Sequence, residues 1–557
     1  MRLGILLILL PFGVQAQEKV WVFFADKPDG AGSRLLWQDG SGDHSDAELD
    51  LPIDSEYVHR LQEMDIVPVL RSRWFNAVSV EVAEVQQRWL EAQSFVRRVQ
   101  PVRRMRRPQL LPETAIGPAS AKAASALDYG PAFDQLAQIG VVELHSLGYD
   151  GDGVRIAIID NGFHYVHDSF AQLEVVAERD FVNGDDVVLD EPDQPVTGDE
   201  TRSVQNIHGA QVLSLLAGYE PGRFIGVAPR AEYILAKTED NRIELPIEED
   251  RWIAGLEWAD SLGADVVNSS LGYNLWDDGS GYTYEDLDGA TALTSIAAEL
   301  AVRRGIVVVV AAGNEGDNSW RYVTAPADAP GVISVGSVDV PTPGVREPLL
   351  AASSSRGPTA DGRIKPDVVA PGQWVVAADI RGGDYVRVNG TSFASPMVGG
   401  VCALLLQAHP TWSPAEVREA LQQSATDLGE AGPDTAYGWG MVDALGASGL
   451  QLQRPESLLA GNPFPNPASG EAIHFPLVLN DREDVELRIF DLAGGLVAAV
   501  ERSLVAGDYT APGRALRWEI PRELADGLYF YLMQTSSLSR SGKFALVRQR
   551  SQVDRQP

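Results

Sequence analysis

One cysteine, Cys402, stands among 557 residues, so no intramolecular disulfide can form. It lies in an apolar stretch, where a thiol packs as a small hydrophobe. Basic residues are scarce: 45 Lys+Arg face 78 Asp+Glu, a formal charge of −33. That balance argues against nucleic-acid binding by bulk electrostatics and suits a soluble exported chain, with adaptation to a salty medium as a second reading. No HExxH motif and no cysteine cluster occur, which leaves zinc only the spacing of His164 and His167. No EF-hand loop occurs either, and no Gly-x-Ser-x-Gly elbow. Beyond the first ten residues no segment reads as long and apolar enough to span a bilayer, so no stable membrane span is expected.

What is present begins with a leader. Arg2 gives a positive start, Leu3 to Leu10 an apolar core, and Val14-Gln-Ala16 a small-residue cleavage site, so residues 1–16 read as a signal peptide. The remaining length suits about three or four domains. From Val154 to Val335, apolar strand-like runs alternate with helical patterns, the pattern of βαβ units and a parallel sheet covered on both faces.

Three short blocks carry chemistry. Asp160 and Gly162 close the apolar run from Val154; His208 opens His208-Gly-Ala-Gln-Val; Ser392 sits in Gly390-Thr-Ser392-Phe-Ala-Ser-Pro396. Taken singly, the acid reads as a turn former and the His-Gly as a helix cap. A serine hydroxyl is a weak nucleophile until a base takes its proton, and a histidine oriented by a carboxylate is such a base. Ser392 precedes the apolar run Phe393–Ala408, which reads as a buried helix whose N-terminus would offer free N–H groups and positive potential.

The blocks, in the order Asp, His, Ser, resemble those of the subtilisin family of serine proteases. Further likeness lies in Gly305 to Asn314, Gly226-Val-Ala-Pro229, Ser270-Leu-Gly272, Ala325-Pro-Ala-Asp328 and Lys365 to Gly372, over about 300 residues. The resemblance implies a subtilisin-like α/β fold and a serine endopeptidase with Ser392 as nucleophile, His208 as base, Asp160 orienting it and Asn314 donating to the oxyanion. It implies that Ser270, Leu271 and Gly272, with Ala311, Ala312 and Gly313, are edges that receive a peptide and line its primary pocket. Small residues there suggest an apolar or permissive preference. Three positions depart from the family: Ala210 replaces the Thr usual after His-Gly, Tyr273 a second Gly, and Phe393 the Met usual after the nucleophile. His167 fits a histidine habitual to the family rather than zinc. No cofactor is needed for the chemistry; structural calcium is implied by the family, with the acids between Gly184 and Glu200 as ligands or as a solvated loop.

The flanks complete the organisation. Residues 17–107 resemble the family's small α+β inhibitory propeptide and end in six arginines within Arg97–Arg107, readable as a processing site, a clamp onto the acidic catalytic domain, or a solvated linker. Residues 108–130 read as a linker holding the mature start, and 131–450 as the catalytic domain. Residues 455–557, opened by the prolines of Asn462 to Pro467, alternate at Val485, Leu487 and Ile489 and resemble the β-sandwich sorting domain of the type IX secretion system, or a related immunoglobulin-like module. The expected partners are protein or peptide substrates, the chain's own propeptide and secretion machinery. The expected location is secreted or cell-surface, after passage of the inner and the outer membrane. Two other readings stand beside this one: a catalytically silent surface-binding protein on the same fold, and an esterase-like serine hydrolase.

Overall fold

In the computed structural model the described residues are 18–28, 49–102, 114–115, 127–189, 206–240, 247–274, 281–340, 347–450, 463–468, 472–479, 483–504, 507–509, 515–535 and 539–547. The expected leader, the basic residues 103–107, the acids from Asp190 to Glu200, Asn462 and the tail after Arg550 lie outside them. The chain divides into two units, one built from residues up to Ala119 and from Tyr129 to Leu450, the other from Gln451 onward with Ser120–Asp128.

The first unit opens with a four-stranded antiparallel sheet in the order β2-β3-β1-β4, made of β1 (Glu18–Phe24), β2 (Pro68–Ser72), β3 (Ala77–Val82) and β4 (Val96–Pro101). Both faces of β1 are apolar, and the period of two sorts them. Val20, Val22 and Phe24 share one core with Leu61 and Leu90 of the helices Ser55–Gln62 and Glu84–Glu91. Trp21 and Phe23 point the other way, and with Trp74 and Phe75 they join a cluster containing Trp252, Leu256 and Leu300. Those last residues belong to the helices Ile247–Ser261 and Leu293–Arg303, so the small sheet and the large domain behind it share one hydrophobic core.

Polar contacts fix that junction. Asp250 accepts from Trp21 Nε1 at 2.7 Å and pairs with Lys19 Nζ at 2.5 Å. Glu257 accepts from Ser72 Oγ and from the Arg73 backbone N–H at 3.1 Å, and Arg73 also reaches Asp260 at 3.1 Å. Burial pushes the Glu257 carboxyl up to about 7, against the opposing pull of those donors.

The large sheet runs β5-β15-β14-β13-β12-β11-β6-β10-β7. Its strands are β5 (Thr114–Ala115), β6 (Arg155–Asp160), β7 (Glu174–Asp180), β10 (Glu232–Lys237), β11 (Val266–Ser269), β12 (Val307–Ala311), β13 (Ile333–Asp339), β14 (Val368–Asp379) and β15 (Asp384–Asn389); a separate hairpin pairs β8 (Tyr219–Glu220) with β9 (Phe224–Ile225). From β7 to β14 neighbouring strands are parallel, and β15 and β5 add antiparallel at one edge. Helices cover both faces, which is why β12 is a buried run of four valines and an alanine rather than an alternating strand.

Two expectations need correction. Ser392 does not precede its helix but is the second residue of Thr391–Ala408. That helix, 18 residues long with mean hydropathy 1.3, is long and apolar enough to cross a membrane by composition, contrary to the expected absence of such a segment. Its window is 83% buried inside the fold, packed along β11 to β14, and that core position is what demands apolar residues. The strand β14 also exceeds its sequence signal. Pro371 and Gly372 break the apolar pattern, and the strand continues through a bulge at Trp374, whose φ is 62°.

The second unit is antiparallel throughout its described strands. A four-stranded sheet, β19-β18-β22-β23, combines β18 (Glu483–Phe490), β19 (Leu496–Leu504), β22 (Gly527–Gln534) and β23 (Ser539–Leu546). Two shorter pairs accompany it: β16 (Ala472–Phe475) with β21 (Leu516–Glu519), and β17 (Val478–Leu479) with β20 (Gly507–Asp508). Val485, Leu487 and Ile489 face one core with Phe475, Trp518, Tyr531 and Phe544, as their alternation requires. The β18–β19 turn is held by Asp491, whose Oδ1 accepts from Ala493 and Gly495 N–H at 2.9 and 2.8 Å.

Candidate active site

The carboxyl ends of β6, β11 and β12 lie side by side at the centre of the large sheet, where chain order reverses and where ligands of such sheets bind. Asp160 is the last residue of β6 and has no exposed surface. His208 is the second residue of the helix Ile207–Ala217 and is 5% exposed. Its Nδ1 lies 2.8 Å from Asp160 Oδ1, which also accepts from the Asn161 N–H at 2.8 Å. Nδ1 therefore carries the proton in this network, leaving Nε2 as the basic nitrogen. The close approach depends on Gly209: a Cβ there would lie 2.2 Å from the Gly162 carbonyl oxygen, so no side chain fits.

Ser392 comes from a different part of the chain but the same place in space. Its hydroxyl donates to the Ser270 carbonyl at 3.1 Å, and Ser270 Oγ donates back to the Ser392 carbonyl at 2.7 Å. The ring of Phe393, the next residue, lies 5.5 Å from that of His208, centroid to centroid, which brings the imidazole and the Ser392 segment together. To meet Nε2 the Ser392 hydroxyl would have to turn away from the Ser270 carbonyl that it now donates to. Ser270 is itself oriented from below, since Asn268 Nδ2 donates to its Oγ at 3.3 Å and Ser395 Oγ donates to Asn268 Oδ1 at 2.8 Å.

Asn314, three residues beyond β12, faces the start of the helix Thr391–Ala408. Its Oδ1 accepts from the Thr391 N–H at 2.9 Å and from Thr391 Oγ1 at 3.1 Å. With its oxygen so engaged, the amide presents Nδ2 as its free donor end, beside the Ser392 N–H at the helix N-terminus. Sequence reading missed Thr391 as the residue that sets this orientation, although it stands next to Ser392 in the same motif.

The six edge residues divide into two kinds. Among the described residues the backbone N–H and C=O of Gly272 make no hydrogen bond, which leaves this edge open to an extended chain. Ser270 and Leu271 lead into it, with Leu271 packed on the shared core. The other edge is occupied: Ala312 N–H donates to Val335 O at 2.9 Å, its carbonyl accepts from Thr324 N–H at 3.1 Å, and Gly313 N–H reaches Thr391 Oγ1 at 3.2 Å. Ala311, Ala312 and Gly313 therefore form a wall rather than a second pairing edge. Tyr273 is buried, and its hydroxyl donates to Glu239 Oε1 at 2.7 Å; burial and then that carboxylate push the phenol well above its ordinary value.

Metal ligation finds no support among the described residues, where no group of three His, Cys, Asp or Glu could hold an ion. Both ring nitrogens of His167 are engaged, Nδ1 with Ser169 Oγ at 3.0 Å and Nε2 with the Asp384 carbonyl at 2.9 Å. Of the acids considered for calcium, Asp185 accepts from the Val187 N–H and Asp186 faces Arg179, while those from Asp190 onward lie outside the described residues.

Comparison with known proteins agrees with this geometry. Residues 151–440 match the sequence profile of the Subtilase family, and residues 43–114 that of the Peptidase S8 propeptide domain of Bacteroidota. The chain is 34% identical over 318 residues to subtilisin E of Bacillus subtilis, covering 56% of this chain and 70% of that protein. It is also 34% identical over 318 residues to the subtilisin of Bacillus pumilus, covering 97% of the latter. Fervidolysin from Fervidobacterium pennivorans, a keratinolytic enzyme related to subtilisin, shares the fold with a TM-score of 0.55 at 21% identity, over 97% of this chain and 77% of its own. With 290 matched residues from 151 to 440 out of 557, and with relatives at this identity, the chain belongs to the subtilase family of serine peptidases.

Proposed function

We propose that this chain is the precursor of an exported serine endopeptidase that works through Asp160, His208 and Ser392. The observation that carries the reading is the buried 2.8 Å contact of His208 Nδ1 with Asp160, facing a serine at a helix N-terminus. Ser392 Oγ attacks the peptide carbonyl carbon and gives its proton to His208 Nε2, while Asn314 Nδ2 and the Ser392 N–H receive the oxyanion. The C–N bond then breaks and the imidazolium proton goes to the leaving amine. Water, deprotonated by the same nitrogen, attacks the acyl ester, and the proton returns to Ser392 Oγ as the acid leaves. The intact set of these groups weighs against a silent binding protein, and the open peptide edge at Gly272 against an esterase. Intact mass and N-terminal sequencing of the secreted protein, with and without a fluorophosphonate, test this. A single adduct, absent from Ser392→Ala, is expected; a folded, processed wild type that takes none would sink the reading.

The N-terminal sheet acts in this reading as the inhibitory propeptide. Its cleavage is placed in the linker of residues 108–130, where the mature start is expected, and within that linker Thr114 and Ala115 pair with β15. Release should respond to pH. Glu257, raised to about 7 by burial under Ser72 and Arg73, returns to the usual carboxylate range of about 4.3 once exposed. Between those values the docked form holds a proton that the released form lacks, so docking weakens as pH rises toward 7 and gains nothing further below about 4.5. Asp250 is raised by burial in the same sense, and Lys19, lowered by burial, opposes it from the alkaline side. Dilution of the processed, still-complexed protein should show release about tenfold more favourable near pH 8 than near pH 5.5, with Glu257→Gln flattening the difference. Equal release at both would remove Glu257 as the cause.

Phe393 gives a second expectation. Met at that place would oxidise to a polar sulfoxide against His208, and Phe cannot. Activity should survive peroxide doses that oxidise free methionine; rapid loss with no other modification by mass would contradict it. We further propose that the second unit directs passage through the outer membrane as a type IX sorting domain, supported by its antiparallel sheets and the Gly527-Leu-Tyr529 strand. A truncation at Leu450 that is secreted as well as the full chain would end that proposal.

A further inference from the structure

A fully buried ion pair lies one strand away from Asp160 and takes no part in the chemistry above. Lys237, the last residue of β10, stands opposite Asp160 in the parallel pairing with β6 and opposite Asp180 in the pairing with β7. Residues so paired send their side chains to one face of the sheet, about 4.8 Å apart at the backbone. Lys237 and Asp180 have no exposed side-chain surface, and Lys237 Nζ lies 2.8 Å from Asp180 Oδ2. The Lys237 Cδ lies 3.2 Å from where a Cβ on Gly162 would be, so the stem runs alongside the turn that follows Asp160. Among the described residues the ammonium makes no hydrogen bond of good geometry, and Asp160 Oδ2, also buried, makes none either. A lysine stem is longer than the gap between two strands, so this cation is within reach of the carboxylate that His208 needs.

Asp180 holds that cation elsewhere. Its oxygens accept from the Val182 N–H at 2.6 Å, the Asn183 N–H at 3.0 Å and Asn183 Nδ2 at 2.8 Å, which pins the carboxylate to the loop after β7. The other neighbours of Asp160 supply no competing charge. On the far side of β6, β11 brings Asn268 and Ser269, and the helix Thr391–Ala408 brings Ser392 and Phe393. Glu239, two residues past Lys237, accepts from the Tyr273 hydroxyl at 2.7 Å. We propose that Asp180 is a positioning residue: it keeps the Lys237 ammonium from pairing with Asp160, so that the Asp160 carboxylate serves His208 alone. This rests on the peptidase reading above and adds a requirement outside the three reacting residues. Without Asp180, Lys237 donates to Asp160 Oδ2, because a buried ammonium does not stay unpaired beside a carboxylate. The carboxylate is then shared, and the added cation disfavours the imidazolium that must form during attack. The base becomes weaker, so the acid limb of kcat/KM moves to lower pH while the plateau drops.

The test uses processed full-length enzyme, with rates expressed per site counted by fluorophosphonate titration. Asp180→Asn keeps an acceptor for the Val182 and Asn183 N–H groups and removes the charge. It should lower kcat/KM about a hundredfold, short of the about ten-thousandfold that follows loss of a triad carboxylate. The acid limb should move down by about one pH unit. Asp180→Asn/Lys237→Met takes the cation away as well and should restore both rate and limb, since apolar replacement of a buried pair is commonly tolerated by the fold. A merely structural pair predicts a double variant no better than the single one. An Asp180→Asn enzyme with wild-type rate and limb overturns the inference, and so does a double variant as poor as the single. Lys237→Met alone should stay close to wild type; a large loss there overturns the inference too, even where Asp180→Asn yields no folded enzyme. A wild type that takes no fluorophosphonate defeats the peptidase reading, whereas a labelled one with the wrong order of variants defeats only this inference.

Discussion

Ser392→Ala should lower kcat by about a millionfold and leave the precursor uncut, the loss found for the nucleophile of subtilisin itself. The change removes one hydroxyl whose hydrogen bond is to the Ser270 carbonyl, so the fold should lose only about 1 kcal/mol. Nucleophile and base act as a unit, and this makes the prediction sharper than a simple loss. His208→Ala should cost about as much, and the double variant hardly more than either alone, because without one partner the other has no chemistry to do. A residual rate about a thousandfold above uncatalysed hydrolysis should remain in all three, from Asn314 and substrate binding. Single-turnover kinetics on precursor and peptide would check it. Additive losses, or an alanine variant that still matures at the wild-type rate without added enzyme, would move the nucleophile elsewhere.

Asn314→Leu should reduce kcat by about a hundred- to a thousandfold with KM nearly unchanged, a range taken from the equivalent donor of subtilisin. The split between kcat and KM is the informative part. The oxyanion exists only in the transition state, so a donor aimed at it contributes little to ground-state binding. Thr391 makes the orientation testable, since its N–H and Oγ1 both hold Asn314 Oδ1. Asn314→Asp replaces the donor with a second acceptor and should be at least as damaging. Thr391→Val loosens the amide without removing it and should fall between wild type and Asn314→Leu. A rise in KM with kcat preserved would mean that Asn314 binds substrate instead.

The residues of the candidate site are more legible in the sequence than their supports. Asp160, His208 and Ser392 each lie in a local pattern, an acid closing an apolar strand, a His-Gly opening an apolar helix or a Gly-Thr-Ser leading into one whose first turn holds Ser392, and local patterns can be read from one sequence. Thr324 and Gly272 lie 52 residues apart in number, and nothing near either predicts that they meet. That contact exists only once the segment after β12 folds back across β11. The strand β14 was hidden for another reason: Pro371, Gly372 and the bulge at Trp374 interrupt the apolar run, while parallel pairing to β13 carries it on. The two kinds of edge were invisible as well, because Ala311–Gly313 and Ser270–Gly272 are equally small and differ only in which backbone groups are already bonded.

The core that Trp21, Phe23, Trp74 and Phe75 share with Trp252 and Leu256 has a consequence for the lifetime of the enzyme. The small sheet pairs its strands antiparallel, whereas the large one joins most of its strands in parallel, the slower kind of pairing to assemble. On the precursor reading proposed above, a preformed apolar face against the helices Ile247–Ser261 and Leu293–Arg303 would lower the barrier to that assembly, and cleavage would discard it. A processed molecule that unfolds must then climb the full barrier without its template. Its durability would accordingly be a matter of how seldom it opens, a half-life set by the unfolding rate, rather than of any balance between folded and unfolded forms.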